Sequence, residues 1–452
     1  MRRDAFPQRP DAPVIALRDL ATPAALAPAG AAVGGGGLAS LDLLIDADKG
    51  ALLPWSAEAA AAAVEVSAGG AMVFPAFADM HTHLDKGHIW PRAANPTGTF
   101  RDALATVSAD RAANWRAEDV RRRMDFALRC AFAHGSGAIR THLDSRAPQH
   151  EISWPVFRDM RAEWAGRIEL QAVNLVPIDD VDDTPFFHAL ADLVAESGGV
   201  LGAVGFPVPD LARRLDAFFR VAAARGLSAD FHVDETADPA SEVLRAVAEA
   251  KMRAGFDGAV VCGHCCSLAT QDEARALDTI EAVAAAGIDV VSLPLCNLYL
   301  QDRADPDRSD PAAGAARPRT PRWRGVTLVH ELQAAGVRVA FASDNTRDPF
   351  YAYGDLDMVE VMREATRIAH LDHSDPGWPR AFTETPRRIC GFADPAPFAP
   401  GAPADLVILR AREWTELFAR PQSDRLVLRA GRPIDAAPPD YAELDDLMET
   451  ER

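Results

Sequence analysis

The feature that most limits what this chain can fold into is a rhythm of short apolar runs rich in β-branched residues, each followed by a longer stretch whose apolar positions recur at helical spacing. Eight such runs begin near Ala71, Gly137, Arg167, Gly199, Leu227, Gly258, Gly287 and Gly336. Helices are expected over 118–133, 211–225, 242–254, 272–286 and 325–335. Alternation of this kind builds parallel sheet, because each helical crossover returns the chain to the same end of its neighbour. Eight units are what a closed barrel needs, so the expected fold class is α/β, a (β/α)8 TIM barrel.

The ends of the chain break the rhythm. Residues 22–40 are rich in Ala, Gly and Pro and include Gly34 to Gly37, which reads as a surface loop. Alternating runs at 41–45 and 63–67 precede the barrel, and runs at 404–409 and 425–428 follow the Pro-punctuated stretch 395–403. We expect these to pair, so that 1–74 and 392–452 form one small β-sandwich-like domain around a barrel of 75–391. The Pro-, Arg- and Asp-rich stretch 296–325 is too long and polar for an ordinary βα connection and reads as a lid or substrate-binding loop.

Composition narrows the partners. With 47 basic against 66 acidic residues the formal charge is −19, which repels phosphate backbones and anionic lipid. A nucleic-acid polymer and a membrane surface are therefore not expected; a neutral or cationic small molecule fits better, and a homo-oligomer stays open. No apolar run reaches the roughly 18 residues of a membrane span. Three of the six cysteines crowd into Cys262, Cys265 and Cys266, which is no disulfide framework and fits a reducing cytoplasm. Met1-Arg2-Arg3 has the charge of a signal peptide, but Asp4, Pro7, Arg9, Pro10 and Asp11 interrupt any apolar segment after it.

Chemistry concentrates at strand ends. His81-Thr82-His83 closes the first run, and alternate strand residues share a face, so both imidazoles can reach one metal. His232 and Glu235 follow the fifth run, His264 the sixth and Asp344 the eighth. These are the C-terminal ends of barrel strands, where barrel active sites are built. Two to four such ligands hold a divalent cation with an open position that activates water for attack on an electrophilic carbon. A carboxyl that is not a ligand, Glu235, can carry the proton to a leaving nitrogen. A helix-capping role is the structural alternative for Glu235. Thiolate ligation at Cys262-Gly-His-Cys-Cys266 lacks the second cysteine pair that such sites recruit. His88 and His142 also lie near strand ends and can line the pocket or simply hydrogen-bond locally.

Several motifs together resemble the amidohydrolase superfamily, and within it cytosine deaminase and relatives acting on triazines and pyrimidines. They are Pro75-Ala-Phe-Ala-Asp-Met-His-Thr-His-Leu-Asp85, Arg140-Thr-His-Leu-Asp144, Phe231-His-Val-Asp-Glu235, Gly263-His264, Asn297-Leu-Tyr-Leu-Gln301, Arg322-Trp-Arg-Gly325 and the run from Ser343-Asp-Asn-Thr-Arg-Asp to Gly354. The resemblance implies that His81, His83, His232 and Asp344 ligate one divalent metal ion, zinc or iron. It implies that Glu235 shuttles protons, that His264 polarises the attacked site or orients the nucleophile, and that Asp344 also takes a proton from the attacking water. No lysine stands at the end of the third or fourth strand (174–177, 206–209), unlike the two-metal branch with a carbamylated lysine. Substrate contacts are expected from Asn345, Gln301, Phe350 and Leu84. Here the chain departs from cytosine deaminase, which carries a glutamine after its third strand where this chain has Leu175-Val-Pro-Ile178, and an aspartate where it has Asn345. An amide donates as well as accepts, so the preferred heterocycle edge differs.

The reading is a deaminase acting on a small nitrogen heterocycle, such as cytosine or a related aminopyrimidine or triazine. Two alternatives keep the same barrel: a cyclic amide hydrolase, and a ligand-binding barrel without turnover. Free ammonia from a panel of aminopyrimidines, triazines and pterins marks the first reading; ring opening marks the second.

Overall fold

The computed structural model describes residues 13–303 and 320–449, so the expectations placed on the first residues and on the middle of the 296–325 stretch lie outside the described residues. Five strands precede the barrel: β1 (Val14–Pro23), β2 (Leu38–Asp46), β3 (Ala51–Leu53), β4 (Val64–Ser67) and β5 (Met72–Pro75). The barrel strands are β6 (Phe77–Thr82), β7 (Ser136–Asp144), β8 (Glu169–Leu175), β9 (Leu201–Gly205), β10 (Ala229–Val233), β11 (Val260–His264), β12 (Ile288–Ser292) and β13 (Val339–Phe341). The last strands are β14 (Leu406–Leu409), β15 (Leu426–Arg429) and β16 (Arg432–Pro433).

All barrel pairings are parallel, in two continuous runs, β6-β7-β8 and β9 through β13. Parallel bridges Val173↔Val200 and Pro177↔Val204 join the runs, and a bridge Thr82↔Asp344 closes the ring. The seam is one backbone hydrogen bond, Asp344 N to His81 O at 2.9 Å. Strands at both chain ends form a separate sheet in the order β16-β15-β14-β5-β1-β2-β3, with β4 also on β1. No helix among the described residues is long and apolar enough to cross a membrane.

The structure divides the run expected at 71–77 as the first barrel strand. Its first part, β5, pairs antiparallel with β14 in the terminal sheet, and the barrel begins only at Phe77. Pro75 has no N–H for a ladder, and Ala76 N turns to Asp405 O at 3.0 Å, so the chain changes sheets there. The loop expected over 22–40 is shorter than its composition implies, because β1 runs to Pro23 and β2 starts at Leu38. The helix expected over 325–335 covers only Val329–Ala334, and the 296–325 stretch opens with a helix, Pro294–Leu300.

Where the apolar spacing is regular, the helices form as expected. Leu211–Arg225 buries Leu215, Phe218, Phe219 and Ala222 on one face against the sheet. Two helices lack a signal of that strength: Phe100–Asn114, whose apolar face is thin, and His150–Glu163, which contains Pro155. Helix Ala117–His134 ends at Gly135, with φ of 97°. A side chain at Gly135 would also meet Val407 Cγ2 at 2.3 Å, so glycine brings barrel and terminal sheet together here.

Arg425, just before β15, anchors the same contact. Its guanidinium donates to Asp357 Oδ1 at 2.7 Å and Oδ2 at 2.5 Å and to His134 O at 3.1 Å. Asp357 also caps helix Met358–Ala369 through Val359 N at 2.9 Å. Burial would raise the Asp357 carboxyl, but Arg425 and His134 outweigh it and hold the group below its ordinary value. Arg425→Gln is expected to cost about 3 kcal/mol at neutral pH, because it strands a largely buried carboxylate. A depressed carboxyl stabilises the fold above its unfolded-state value, near 3.8, and that contribution is lost as pH falls through the folded-state value. The gap between wild type and variant in urea unfolding should therefore shrink from pH 7 to about pH 3; an unchanged gap would reject the pairing.

Candidate active site

Strand alternation puts Asp79 and His81 on the inner face of β6, and His83 follows just beyond its end. His81 Nε2 lies 3.0 Å from His232 Nε2, which lies 3.3 Å from His83 Nε2. Asp344 Oδ1 lies 3.2 Å from His83 Nε2 and 3.7 Å from His81 Nε2. All four residues are buried. Burial, with neighbouring imidazoles and Lys86 adding to it, pushes His81, His83 and His232 well below the ordinary histidine value, so they face one another as neutral rings. Both Asp344 oxygens are buried without a hydrogen-bond donor among the described residues, and burial pushes the carboxyl up to about 7.

Such a set is unfavourable by itself and suits a cation. Bonds of about 2.05 Å in a tetrahedral site imply ligand separations of about 3.3 Å, the spacing seen here. Three imidazoles and one carboxylate are the donor set of a zinc- or iron-type centre. His142 joins the same cluster: its ligand atoms and those of His81, His83 and His232 lie within 4.8 Å of one another. His142 packs on His81 with ring centroids 4.0 Å apart, and its Nε2 lies 3.2 Å from Asp230 Oδ1. Asp230 in turn accepts from Arg140 at 3.0 Å, so a charged layer inside the barrel supports the ligands from below. Asp344 and His264 sit at φ of 65° and 69°, conformations that side chains adopt at a cost of order 1 kcal/mol or more.

Glu235 stands beside this cluster, not in a cap. The capping is done by Asp234, which accepts from Ser241 Oγ at 2.7 Å, Val243 N at 2.9 Å and Leu244 N at 2.8 Å at the start of helix Val243–Ala254. Burial and the nearby Asp344 raise the Glu235 carboxyl well above its ordinary value. Asn297, on helix Pro294–Leu300, donates to Glu235 Oε1 at 3.3 Å and contacts His264 Nδ1 at 3.1 Å. Burial lowers His264 to about 3. With Nδ1 accepting from Asn297, the neutral ring carries its proton on Nε2, which has no partner among the described residues.

These groups floor a cavity of about 190 Å³. Leu175, Val176, Pro177 and Phe206 form one apolar wall, and Phe100 and Phe350 another. Asn345 and Phe350 are among its lining residues; Asn345 is oriented by Asp348, to which it donates at 2.7 Å. Leu84 and Gln301 are not among the lining residues. Leu84 is in the core, and Gln301 donates to Glu235 O at 3.2 Å, holding the loop that carries the carboxyl. His88 packs on Phe126, also outside the lining. The thiols of Cys262, Cys265 and Cys266 are raised by burial and join no ligand cluster among the described residues.

Sequence reading passed over Lys86 and Asn297 as site residues. Lys86 is buried, lines the cavity and places Nζ 4.6 Å from the Phe350 ring centroid. Its place between Asp85 and Gly87 after the HxH motif is the only signal for it. Arg123, fully buried, holds that turn by donating to Asp85 O at 2.6 Å and Gly87 O at 3.1 Å.

A model of the amidohydrolase family matches residues 183–435. The chain belongs to the amidohydrolase family. This amidohydrolase is 57% identical over 377 residues, 83% of its length and 84% of the relative's, to pterin deaminase of Rhizobium rhizogenes (strain K84 / ATCC BAA-868). Its fold is shared with 5-methylcytosine deaminase from Klebsiella pneumoniae liganded with 5-fluorocytosine, at TM-score 0.73 and 24% identity, covering 93% of this chain and 97% of that one. It is shared too with N-isopropylammelide isopropylaminohydrolase from Burkholderia multivorans ATCC 17616, at TM-score 0.71 and 24% identity, covering 94% and 99%.

Elemental analysis of this amidohydrolase is expected to find about one divalent ion per chain. His83→Ala and Asp344→Ala should lose it, whereas Asn297→Ala should keep it and lose about 100-fold or more in kcat. Full metal content in both ligand variants would reject the assignment.

Proposed function

We propose that this amidohydrolase is a metal-dependent deaminase that replaces the ring amino group of a pterin-class heterocycle by oxygen, taking up water and releasing ammonia. The observation that carries the reaction is the Glu235 carboxyl, protonatable through burial and hydrogen-bonded to Asn297, beside three imidazoles and a carboxylate at the floor of an apolar cavity. His81, His83, His232 and Asp344 would hold the ion. A divalent ion bound there supplies Lewis acidity and lowers the pKa of water to near neutrality.

Glu235 takes a proton from the attacking water and returns it to the leaving nitrogen, which departs as ammonia. Asn297 keeps its carboxyl at the reacting centre. His264, neutral and with Nε2–H available, donates a hydrogen bond to the ring beside the attacked carbon or to the nucleophile. Asp344 is a second proton acceptor at the same point. Phe350 and Phe100 cover the ring, and Lys86 holds positive charge over Phe350.

Two features favour a fused ring over cytosine. The relative that is 57% identical is named a pterin deaminase. The wall at Leu175, Val176 and Pro177 offers contact area where cytosine deaminase has a hydrogen-bonding glutamine, and a bicyclic ring gains from such area.

Metal-loaded enzyme assayed with pterin, cytosine and an aminotriazine should release ammonia from pterin, with kcat/KM at least about tenfold above the others, the size that pocket contacts supply. Glu235→Gln should keep its metal and lose about 100- to 10,000-fold in kcat. Ring-opened products, or an active Glu235→Gln enzyme, would overturn the mechanism; preference for cytosine would overturn the ring class alone.

A further inference from the structure

Another cavity lies at the other end of the barrel. About 440 Å³ in volume, it opens between the N-terminal ends of β6, β7 and β8 and the terminal sheet. Four arginines border it. Arg161 donates to Ser197 O at 2.7 Å, and Arg167 donates to Glu163 O at 2.9 Å and stacks on Trp164, so these two are engaged elsewhere.

Arg387 and Arg429 are different. Arg387 Nη2 and Arg429 Nη1 each lie 2.9 Å from the point a Cβ would occupy on Gly137, so two like charges meet over one glycine at the start of β7. Any side chain at Gly137 would displace them. Arg429 Nε and Nη1 are buried with no hydrogen-bond acceptor among the described residues. Its remaining nitrogen, Nη2, contacts Arg167 O and reaches Asp405 at 3.4 Å. Arg387 donates to Ala393 O at 3.0 Å, and no carboxylate among the described residues pairs with it within 4 Å.

Four acids border the cavity; Asp405 is the one within reach of Arg429, and the other three are drawn to other donors. Glu384 is taken by Arg380 at 3.0 Å and Arg388 at 3.1 Å, and Asp394 by Arg388 at 2.6 Å. Glu169 accepts from Ala393 N at 3.2 Å. Two guanidinium groups side by side, one with buried N–H groups unmet, form a fork for an oxyanion.

We propose that Arg387 and Arg429 bind a small oxyanion, a phosphate or a carboxylate, that ties the bottom of the barrel to the terminal sheet. Burial, and for Arg387 the neighbouring Arg429, holds both guanidiniums below their ordinary value, a penalty that a bound anion offsets. The site is at the strand ends opposite the reacting groups, the barrel face that serves stability, so the anion acts on stability and not on turnover.

Calorimetric titration and thermal melting of the metal-loaded protein test this, with inorganic phosphate and succinate as probes and chloride holding ionic strength constant. Wild type is expected to bind one equivalent of one probe saturably and to gain a few degrees in Tm at about 100 times Kd, by mass action. The better probe identifies the oxyanion class. Arg387→Gln and Arg429→Gln should each lose the heat and the Tm gain while keeping kcat, and Arg387→Lys should retain part of both. Should a glutamine variant not fold, the wild-type titration still decides. The proposal is overturned by no saturable binding of either probe, by an undiminished Tm gain in the folded glutamine variants, or by binding that competes with substrate, which would put the anion at the reacting centre.

Discussion

Three imidazole nitrogens and a carboxylate oxygen meet within 3.7 Å of their neighbours in a fully buried place, and the rest of the molecule serves to keep them there. Without a cation the arrangement costs energy, since neutral rings turn lone pairs on one another and the Asp344 oxygens accept nothing. Its position follows from barrel closure. The backbone bond from Asp344 to His81 O that shuts the seam between the first and last strands also sets the Asp344 carboxyl beside the His81 ring.

Support comes from below as well. Asp79 holds Ser343 through its N–H at 3.1 Å and its hydroxyl at 2.5 Å, fixing the residue before Asp344. Arg140, Asp230 and His142 fill the next layer and leave His81 no room to turn away. Outside, Gly135 and Arg425 fasten the barrel to a sheet made from both chain ends. A charged barrel interior is expensive to bury, and its acids and bases are accordingly paired with one another.

How much could be read in advance follows a physical division. Residues whose place depends on strand alternation were legible: His81, His83, His232 and His264 stand at strand ends, and the strands announced themselves by apolar runs. Residues placed by loops were not. Lys86 reaches the cavity because Arg123, far along the chain, grips its turn, and Asn297 reaches Glu235 because a short helix forms where the composition reads as loop. The run at 71–77 was misassigned to one strand because periodicity within a run cannot say which sheet accepts it; β14, more than three hundred residues later, decides that.

The sequence by itself determined the class of fold and the kind of chemistry, because period-two strands, period-3.6 helices and metal-ligating side chains at their junctions are local properties of the chain. Tertiary structure decided that Asp234 caps a helix while Glu235 faces the histidine cluster, since the two are neighbours in sequence and differ only in what surrounds them. It also decided that Arg387 and Arg429, distant in sequence, face each other over Gly137. Electrostatic environment is a property of what folds against a residue, and no local pattern carries it.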